Sequence, residues 1–544
     1  MAVVMMTRGR RRPAPAIQVT CVTDPSSQSP SSQSPSRSSI RGARVHADGR
    51  FLDTLTARPW RAFLIFALAH AVLWTALPAL AWPNLPLDLI EALVNGREFW
   101  LGYTKLPPLP WWITEIVYRL FGIDAGYYLI SQIAIVSTFA LVFALGLRVA
   151  GPIPALVAVL MLDGLHYFGF TAPKFNHDVV QLPFWALAGY AFHRALRGGG
   201  LAFWVLLGLA FGGAFWSKYF AVMLMAPMAL FLLAEPQARR MLATPGPYVT
   251  ALVALLIATP HLVWLVNANF LPFSYAEARA VAPRHVFDHL LRPAAFLLGQ
   301  LAWAIPALLI ALPLIYPRQP RDGFAVQTSA VAAFDRRILA LLAFGPIALL
   351  TVASLVSGRL VVAMWGYPLF LFTGLWAVVT FAPQPDAGRA ARTLGVWASV
   401  TVVYAVAFLV SNVVMPHFDR RYRAVLFPGR ALAQEISRAY TATTGAPLAY
   451  VVGHYWPAGN ISHYAPDRPR VVGEPDPARV PWIDMADLRR RGGVLVWSHS
   501  DPTVPPADFA GLAPNAQVQP PLTRPLLRGG TTVTLGWAII PPGK

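Results

Sequence analysis

The chain has 544 residues, of which 56% are hydrophobic and only 13% charged, and its mean hydropathy of +0.51 excludes an ordinary soluble protein. The net charge of +19 does not require nucleic acid, because the arginines fall mostly in short stretches between apolar segments, where membrane topology accounts for them. The one cysteine, Cys21, excludes an intramolecular disulfide and a cysteine-built zinc site.

Residues 1–58 are rich in Ser, Pro and Arg, include the repeat SSQSPSSQSPS and have no apolar period, so they are expected to form a disordered tail. The tail carries nine arginines and three aspartates, a net +6, and no cleavable apolar segment follows at signal-peptide distance. It is therefore expected in the cytoplasm.

From Trp60 onward, apolar runs near the roughly 20 residues needed to cross a bilayer recur. They lie at about 60–82, 126–149, 151–170, 179–196, 201–217, 219–234, 248–267, 293–316, 337–357, 360–382 and 393–414, which predicts about eleven spans in a domain over 59–415. With the tail inside, the loops carrying Arg148, Arg194/Arg197, Arg239/Arg240, Arg318/Arg321/Arg336/Arg337 and Arg389/Arg392 all fall on the cytoplasmic side. Arg97, Lys105, Lys174, Lys218, Arg279, Arg284, Arg292 and Arg359 then fall outside. Cations that run against the positive-inside bias are expected to hold an anion.

The stretch Pro86 to Trp112 follows the first span, yet carries Asp88, Glu91, Arg97, Glu98 and Lys105, so it must lie at a membrane surface. Leu87, Ile90, Glu91, Val94 and Phe99 mark one face of an interfacial helix, and Trp100, Trp111 and Trp112 are rings of the type that settles at headgroup level. The run Lys105-Leu106-Pro107-Pro108-Leu109-Pro110 cannot continue that helix. Lys105 is thereby held on a stiff corner.

After Val414 the composition becomes ordinary, and residues 416–544 read as a small α/β domain. A helix is expected at 428–443, ending before Gly445, and strands at 448–453, 470–473, 492–497 and 531–540. An odd span count places this domain outside. No internal repeat signals the inverted halves of many transporters.

Four outer elements carry ionisable groups: Asp88 with Glu91 one helical turn on, the run Lys174-Phe175-Asn176-His177-Asp178, Lys218-Tyr219, and the loop 268–292 with Arg279, Arg284, His285, Asp288, His289 and Arg292. A single lysine or arginine at a membrane boundary costs little because it snorkels, whereas short carboxylates such as Asp88 and Asp178 cannot reach far. His177 reads as an orienting neighbour, His285/His289 as a weak metal signal, and Asp163 with His166 as a polar pair between helices.

The order Asp88 on an interfacial helix, Lys-x-Pro-Pro-Leu-x-x-Trp, Phe-Asn-x-Asp before a span, and Gly-x-x-x-x-Ser-Lys-Tyr at 212–219 resembles family 39 glycosyltransferases of the GT-C membrane fold. That family includes protein O-mannosyltransferases and the aminoarabinose transferase of lipid A. The segments LDLIEALVNGREFWLGYTKLPPLPWW, KFNHDVVQLPFWAL and AYVVGHYWPAGNISHYAPDRP look most like its bacterial branch of lipopolysaccharide galacturonic-acid transferases. The resemblance covers roughly residues 60–500.

The resemblance implies an all-α polytopic GT-C protein whose catalytic loop spans 83–125, with a small C-terminal α/β domain. Its activity would pass a monosaccharide from a polyprenyl-phosphate donor to a cell-envelope acceptor, lipid A, lipopolysaccharide core or protein, on the periplasmic face of a bacterial inner membrane. Asp88 matches the catalytic aspartate of the first loop, Asp178 the acidic residue of the second, and Lys105 the lysine that meets the lipid phosphate. Glu91, Tyr103, Asn176, His177, Lys218 and Arg359 complete the expected substrate-binding set. The chain departs from the pattern at Leu89, where many members have Glu, and at Glu91, where the aminoarabinose transferase has an arginine.

The residues themselves support such chemistry. Transfer to a hydroxyl needs a carboxylate to take the proton, and a departing phosphate needs cations. A donor anchored in the membrane explains why no Gly-rich nucleotide loop is present, and the lipid-linked sugar serves as cosubstrate with a divalent ion left open. The rival readings are a secondary transporter or flippase of lipid-linked sugar, which would place its charges near the bilayer midplane, and a non-catalytic scaffold.

Overall fold

A computed structural model describes residues 55–315, 331–381, 387–498 and 501–543, all of them in one unit of the chain. The expected disordered tail lies outside the described residues except for 55–58.

Apolar runs that open on proline start several helices, because the ring presets φ and removes a donor that a first turn leaves unpaired anyway. Thus α1 spans Pro59–Ala81. After it come α2 (Leu87–Gly96), α3 (Leu109–Phe121), α4 (Ala125–Val149), α5 (Pro152–Asp163), α6 (His177–Leu196), α7 (Leu201–Ser217), α8 (Val222–Ala234), α9 (Gly246–Asn267), α10 (Leu271–Arg279), α11 (Asp288–Ile315), α12 (Ala333–Ser357), α13 (Thr373–Phe381) and α14 (Ala387–Leu409). The centre of the bundle is α6, packed on α4 and α7, with α9 against the far side of α7.

The expectation of eleven spans is corrected. Among the described residues, six helices are long and apolar enough to cross a membrane, or eight if each of two bent pairs counts once; both counts are even, so the odd count that would place the C-terminal domain outside falls with the eleven spans. The physical cause is local. The run 151–170 stops being helical at Asp163-Gly164, α7 is only 17 residues long, the run 219–234 opens as a 3-10 turn that leaves α8 only 13 residues before the chain bends by 87° at Pro236, and the run 360–382 is a 3-10 segment, Ala363–Phe370, bent by 51° against α13.

The expected Asp163–His166 pair is also corrected. Asp163 instead lies 2.8 Å from the His70 ring nitrogen Nδ1 and accepts from the Trp397 indole at 2.6 Å, while His70 also meets Gln132 at 3.1 Å. His166 stacks on Phe170.

The C-terminal region begins with α15 (Gly429–Thr444), which stops at Gly445, where φ is +70°. Five strands follow, interleaved with α16 (Tyr455–Tyr464) and α17 (Met485–Arg491): β1 (Tyr450–Val452), β2 (Arg470–Val472), β3 (Gly493–Trp497), β4 (Gln517–Pro525) and β5 (Thr532–Ile540). Their order is β2-β1-β3-β5-β4, with β1 parallel to β2 and β3, and β5 antiparallel to β3 and β4. Alternation sends Val451, Val471 and Val494 to the face covered by Leu432 and Ile436 of α15 and Ile461 of α16. Tyr450, Val452, Leu495 and Trp497 point the other way, onto Leu488 and Phe509.

This domain is seated on α2 and α3. A Cβ at Gly459 of α16 would come within 2.6 Å of Ile90, so only glycine permits that approach of the two helices. Two arginines of the domain clamp carboxylates of the membrane part: Arg470 on Glu98 and Arg468 on Glu115, the latter at 3.0 Å to a fully buried Glu115 side chain. At the other end of the bundle lie Arg337–Glu235 at 3.0 Å, and His193 and Arg197 on Asp335.

Candidate active site

Two helix N-termini converge under the C-terminal domain, and each carries an aspartate in its first turn, where the helix dipole favours negative charge: Asp88 in α2 and Asp178 in α6. Asn176 ties them together. Its side-chain oxygen caps α6 by accepting from the backbone N–H groups of Asp178 and Val179, at 3.0 and 3.2 Å. With that oxygen committed, its NH2 group faces outward and donates to Asp88 Oδ2 at 2.9 Å.

The two carboxylates are not equivalent. Asp178 is buried and accepts from Lys218 Nζ at 2.5 Å and from Gln181 at 3.1 Å. Lys218 reaches it because α7 ends there, its backbone turning to an extended conformation. Asp88 is half-buried, and Asn176 is its one hydrogen-bond partner among the described residues, which leaves Oδ1 open to the space between the helices.

That space is a cavity of about 350 Å³, the size class of small-molecule sites. It is lined by Asp88, Glu91, Lys105, Asn176, His177, Asp178, Lys218 and Arg279, with apolar wall from Phe220, Met223, Val362 and Trp365. Lys105 sits on the Pro107-Pro108 corner between α2 and α3, its ammonium 2.7 Å from Glu91 and 5.0 Å from the ring centre of Tyr455. Burial pushes the Glu91 carboxyl up despite the lowering pull of Lys105. Burial also works to lower Lys105, but Glu91 outweighs it and holds the ammonium above its ordinary range. His177 fixes the corner from behind, its ring bonding the Pro107 carbonyl at 3.0 Å and meeting Trp111 edge-on.

Of the residues expected from sequence, Asp88, Glu91, Lys105, Asn176, His177, Asp178 and Lys218 line one cavity. Tyr103 and Arg359 do not. The Tyr103 hydroxyl donates to the Asn95 carbonyl at 2.8 Å, and Tyr103 lines a neighbouring cleft. Arg359 turns to Glu277 at 3.1 Å and to the Ala280 carbonyl at 2.9 Å. Arg279, at the end of α10, lines the cavity instead; its only trace in the sequence is membership of the outer cations. Among the described residues no group of three His, Cys, Asp or Glu side chains is placed to hold a metal ion, and the spaced pair His285/His289 gains no third ligand.

Residues 105–264 match the family described as dolichyl-phosphate-mannose-protein mannosyltransferase. The chain is 25% identical over 426 residues to the lipopolysaccharide core galacturonosyltransferase RgtB of Rhizobium johnstonii, covering 76% of this chain and 82% of that one. The lipid A galacturonosyltransferase RgtD of the same organism is 25% identical over 190 residues, 33% of this chain and 40% of that one. The structure of ArnT from Cupriavidus metallidurans superposes with a TM-score of 0.55 at 16% identity, covering 88% of this chain and 98% of that chain. The chain has the ArnT fold. The resemblance to GT-C glycosyltransferases of family 39, read above from the loop motifs, is thus carried by a family match, by the named galacturonosyltransferases and by the fold.

Proposed function

We propose that this ArnT-fold chain is a membrane glycosyltransferase that moves a monosaccharide from a polyprenyl-phosphate donor to a hydroxyl of a lipid A or lipopolysaccharide acceptor. The observation that carries this reading is the pairing, in one cavity at one end of the helix bundle, of an open carboxylate, Asp88, with the cations Lys105 and Arg279. Similarity to RgtB supports the acceptor class.

In this reading the donor phosphate lies against Lys105 and Arg279, and the sugar lies toward Asp88. Oδ1 of Asp88 takes the proton of the acceptor hydroxyl as its oxygen bonds the anomeric carbon. The bond from that carbon to the phosphate oxygen breaks, and polyprenyl phosphate leaves with its charge met by the two cations. Asn176 orients Asp88 and Lys218 neutralises Asp178, which keeps the second carboxylate from repelling the leaving phosphate. Clustering of charge at the bundle end, under a folded domain, favours surface chemistry over transport through the midplane.

Asp88→Asn keeps size and can still accept from Asn176, so the purified variant should insert and fold while transfer falls by at least about 100-fold, the lower range for a lost general base. Full transfer by that variant from a polyprenyl-phosphate sugar, followed by mass spectrometry of the products, would remove the assigned base. In this reading the site faces the periplasm across the inner membrane, an orientation that the positive-inside bias of the arginine-rich loops supports. Reporter fusions should then place Ala390 in the cytoplasm and Gly445 in the periplasm; the reverse assignment refutes the orientation, and same-side signals refute the span between them.

A further inference from the structure

Beside the reaction cavity lies a second, larger space of about 650 Å³ that the chemistry above does not use. It is roofed by the C-terminal domain and floored by the outer end of α9 and the segment leading to the Lys105 corner. Three indoles line it, from Trp100, Trp264 and Trp482, together with Asn267, Asp476 and Arg479.

The indoles are held in place rather than collapsed together. Trp482 meets Trp100 at 5.8 Å and Tyr103 edge-on at 5.1 Å between ring centres, and its carbonyl accepts from Arg470 at 2.7 Å, the arginine that clamps Glu98. Trp264 lies flat on the chain at Gly102, where any Cβ would fall 2.0 Å from the ring, and stacks nearly parallel with His261, 13° off plane. Rigid apolar faces interleaved with an amide, a carboxylate and a guanidinium fit a ring whose C–H faces are apolar and whose edge carries hydroxyls. That is the chemistry of a saccharide.

The cleft and the reaction cavity share one segment of chain. Tyr103 and Thr104 line the cleft, and Lys105 and Leu106, the next two residues, line the cavity. We infer that the cleft is a saccharide-binding subsite that holds the acceptor's oligosaccharide and delivers one end of it toward Asp88. This rests on the transferase reading for what happens next, but not for binding itself. The volume admits about two sugar rings, within the usual range for a small-molecule site.

The test uses the full-length protein in detergent, titrated calorimetrically with a deacylated lipopolysaccharide core oligosaccharide, and steady-state transfer measured with the same acceptor. Two variants are compared with wild type, Trp482→Ala and the milder Arg479→Gln. Loss of one stacking ring should weaken binding and raise the acceptor KM about tenfold, with the donor KM and kcat unchanged. If wild type binds the oligosaccharide and both cleft variants bind it more weakly, the subsite stands, even where no transfer from polyprenyl-phosphate donors is found. Wild type that binds no oligosaccharide, or cleft variants that bind as tightly as wild type, overturns it.

Discussion

Replacing Lys218 by Met leaves most of the apolar stem but strands Asp178. The pair is 2.5 Å long, and the two side chains are only 10% and 9% exposed. Once the ammonium is gone, the carboxylate keeps the Gln181 amide and its place in the first turn of α6, where the helix dipole favours it, but no opposite charge at contact distance. Breaking a buried pair from one side costs about 3–5 kcal/mol, most of it the uncompensated charge rather than the worth of the pair. At about 2 °C per kcal/mol for a large domain, the melting midpoint should fall by about 6–10 °C. Adding Asp178→Asn removes the stranded charge and should return most of that loss, since the amide can still meet Gln181. Midpoints are read in detergent by a thiol-independent unfolding assay, which the single cysteine makes necessary. If Lys218→Met melts where wild type does, the pair is not buried as described. If the double variant melts no higher than the single one, the penalty has another origin.

Lys105→Met should lower transfer from the lipid-linked donor by roughly 30- to 150-fold, the worth of a charge-assisted hydrogen bond of ~2–3 kcal/mol, and unchanged turnover would detach Lys105 from the phosphate. The seat of the C-terminal domain should loosen in acid. Burial pushes the Glu115 carboxyl up, but the Arg468 and Arg119 guanidiniums outweigh it and hold it below the ordinary glutamate range. The clamp therefore contributes fully above the unfolded value of about 4.3 and loses its contribution as pH falls through the lower folded value. Limited proteolysis between α14 and α15 should speed up over that window in wild type and be already fast, and flatter with pH, in Arg468→Gln.

Much of the site was legible because its residues must violate simple rules. Asp88 and Asp178 are short carboxylates at a membrane boundary, and Lys105 sits on a proline corner where no helix can run, so each stands out from the apolar background. Arg279 and Arg359 could not be separated in that way: both are outer cations, and only the packing of α10 sends one to the cavity and the other to Glu277. Four strands were readable from alternating or β-branched runs. The fifth, β4, was not, because Pro520 and Pro521 argue against a strand. It tolerates them as the edge of the sheet, with its register shifted between Gln519 and Leu522. The span count failed for a related reason. Hydropathy measures a run's length but not its bends: helix ends at Asp163-Gly164 inside the run 151–170, and the run 360–382 is broken between Phe370 and Thr373, although composition alone treats both as continuous.

The Lys105–Glu91 contact has a consequence for which anions the cavity admits. A carboxylate already seated on the lysine is an internal competitor, present at contact distance and never diluted. Free phosphate or a soluble nucleotide must displace it from bulk solution, at whatever concentration the compartment supplies. A phosphate tethered to the bilayer arrives instead at the high effective concentration that anchoring confers, and it gains further from burial of its lipid chain. Selection of a membrane-borne donor then needs no pocket that recognises the lipid: it follows from making the cation costly to reach for everything that comes from water.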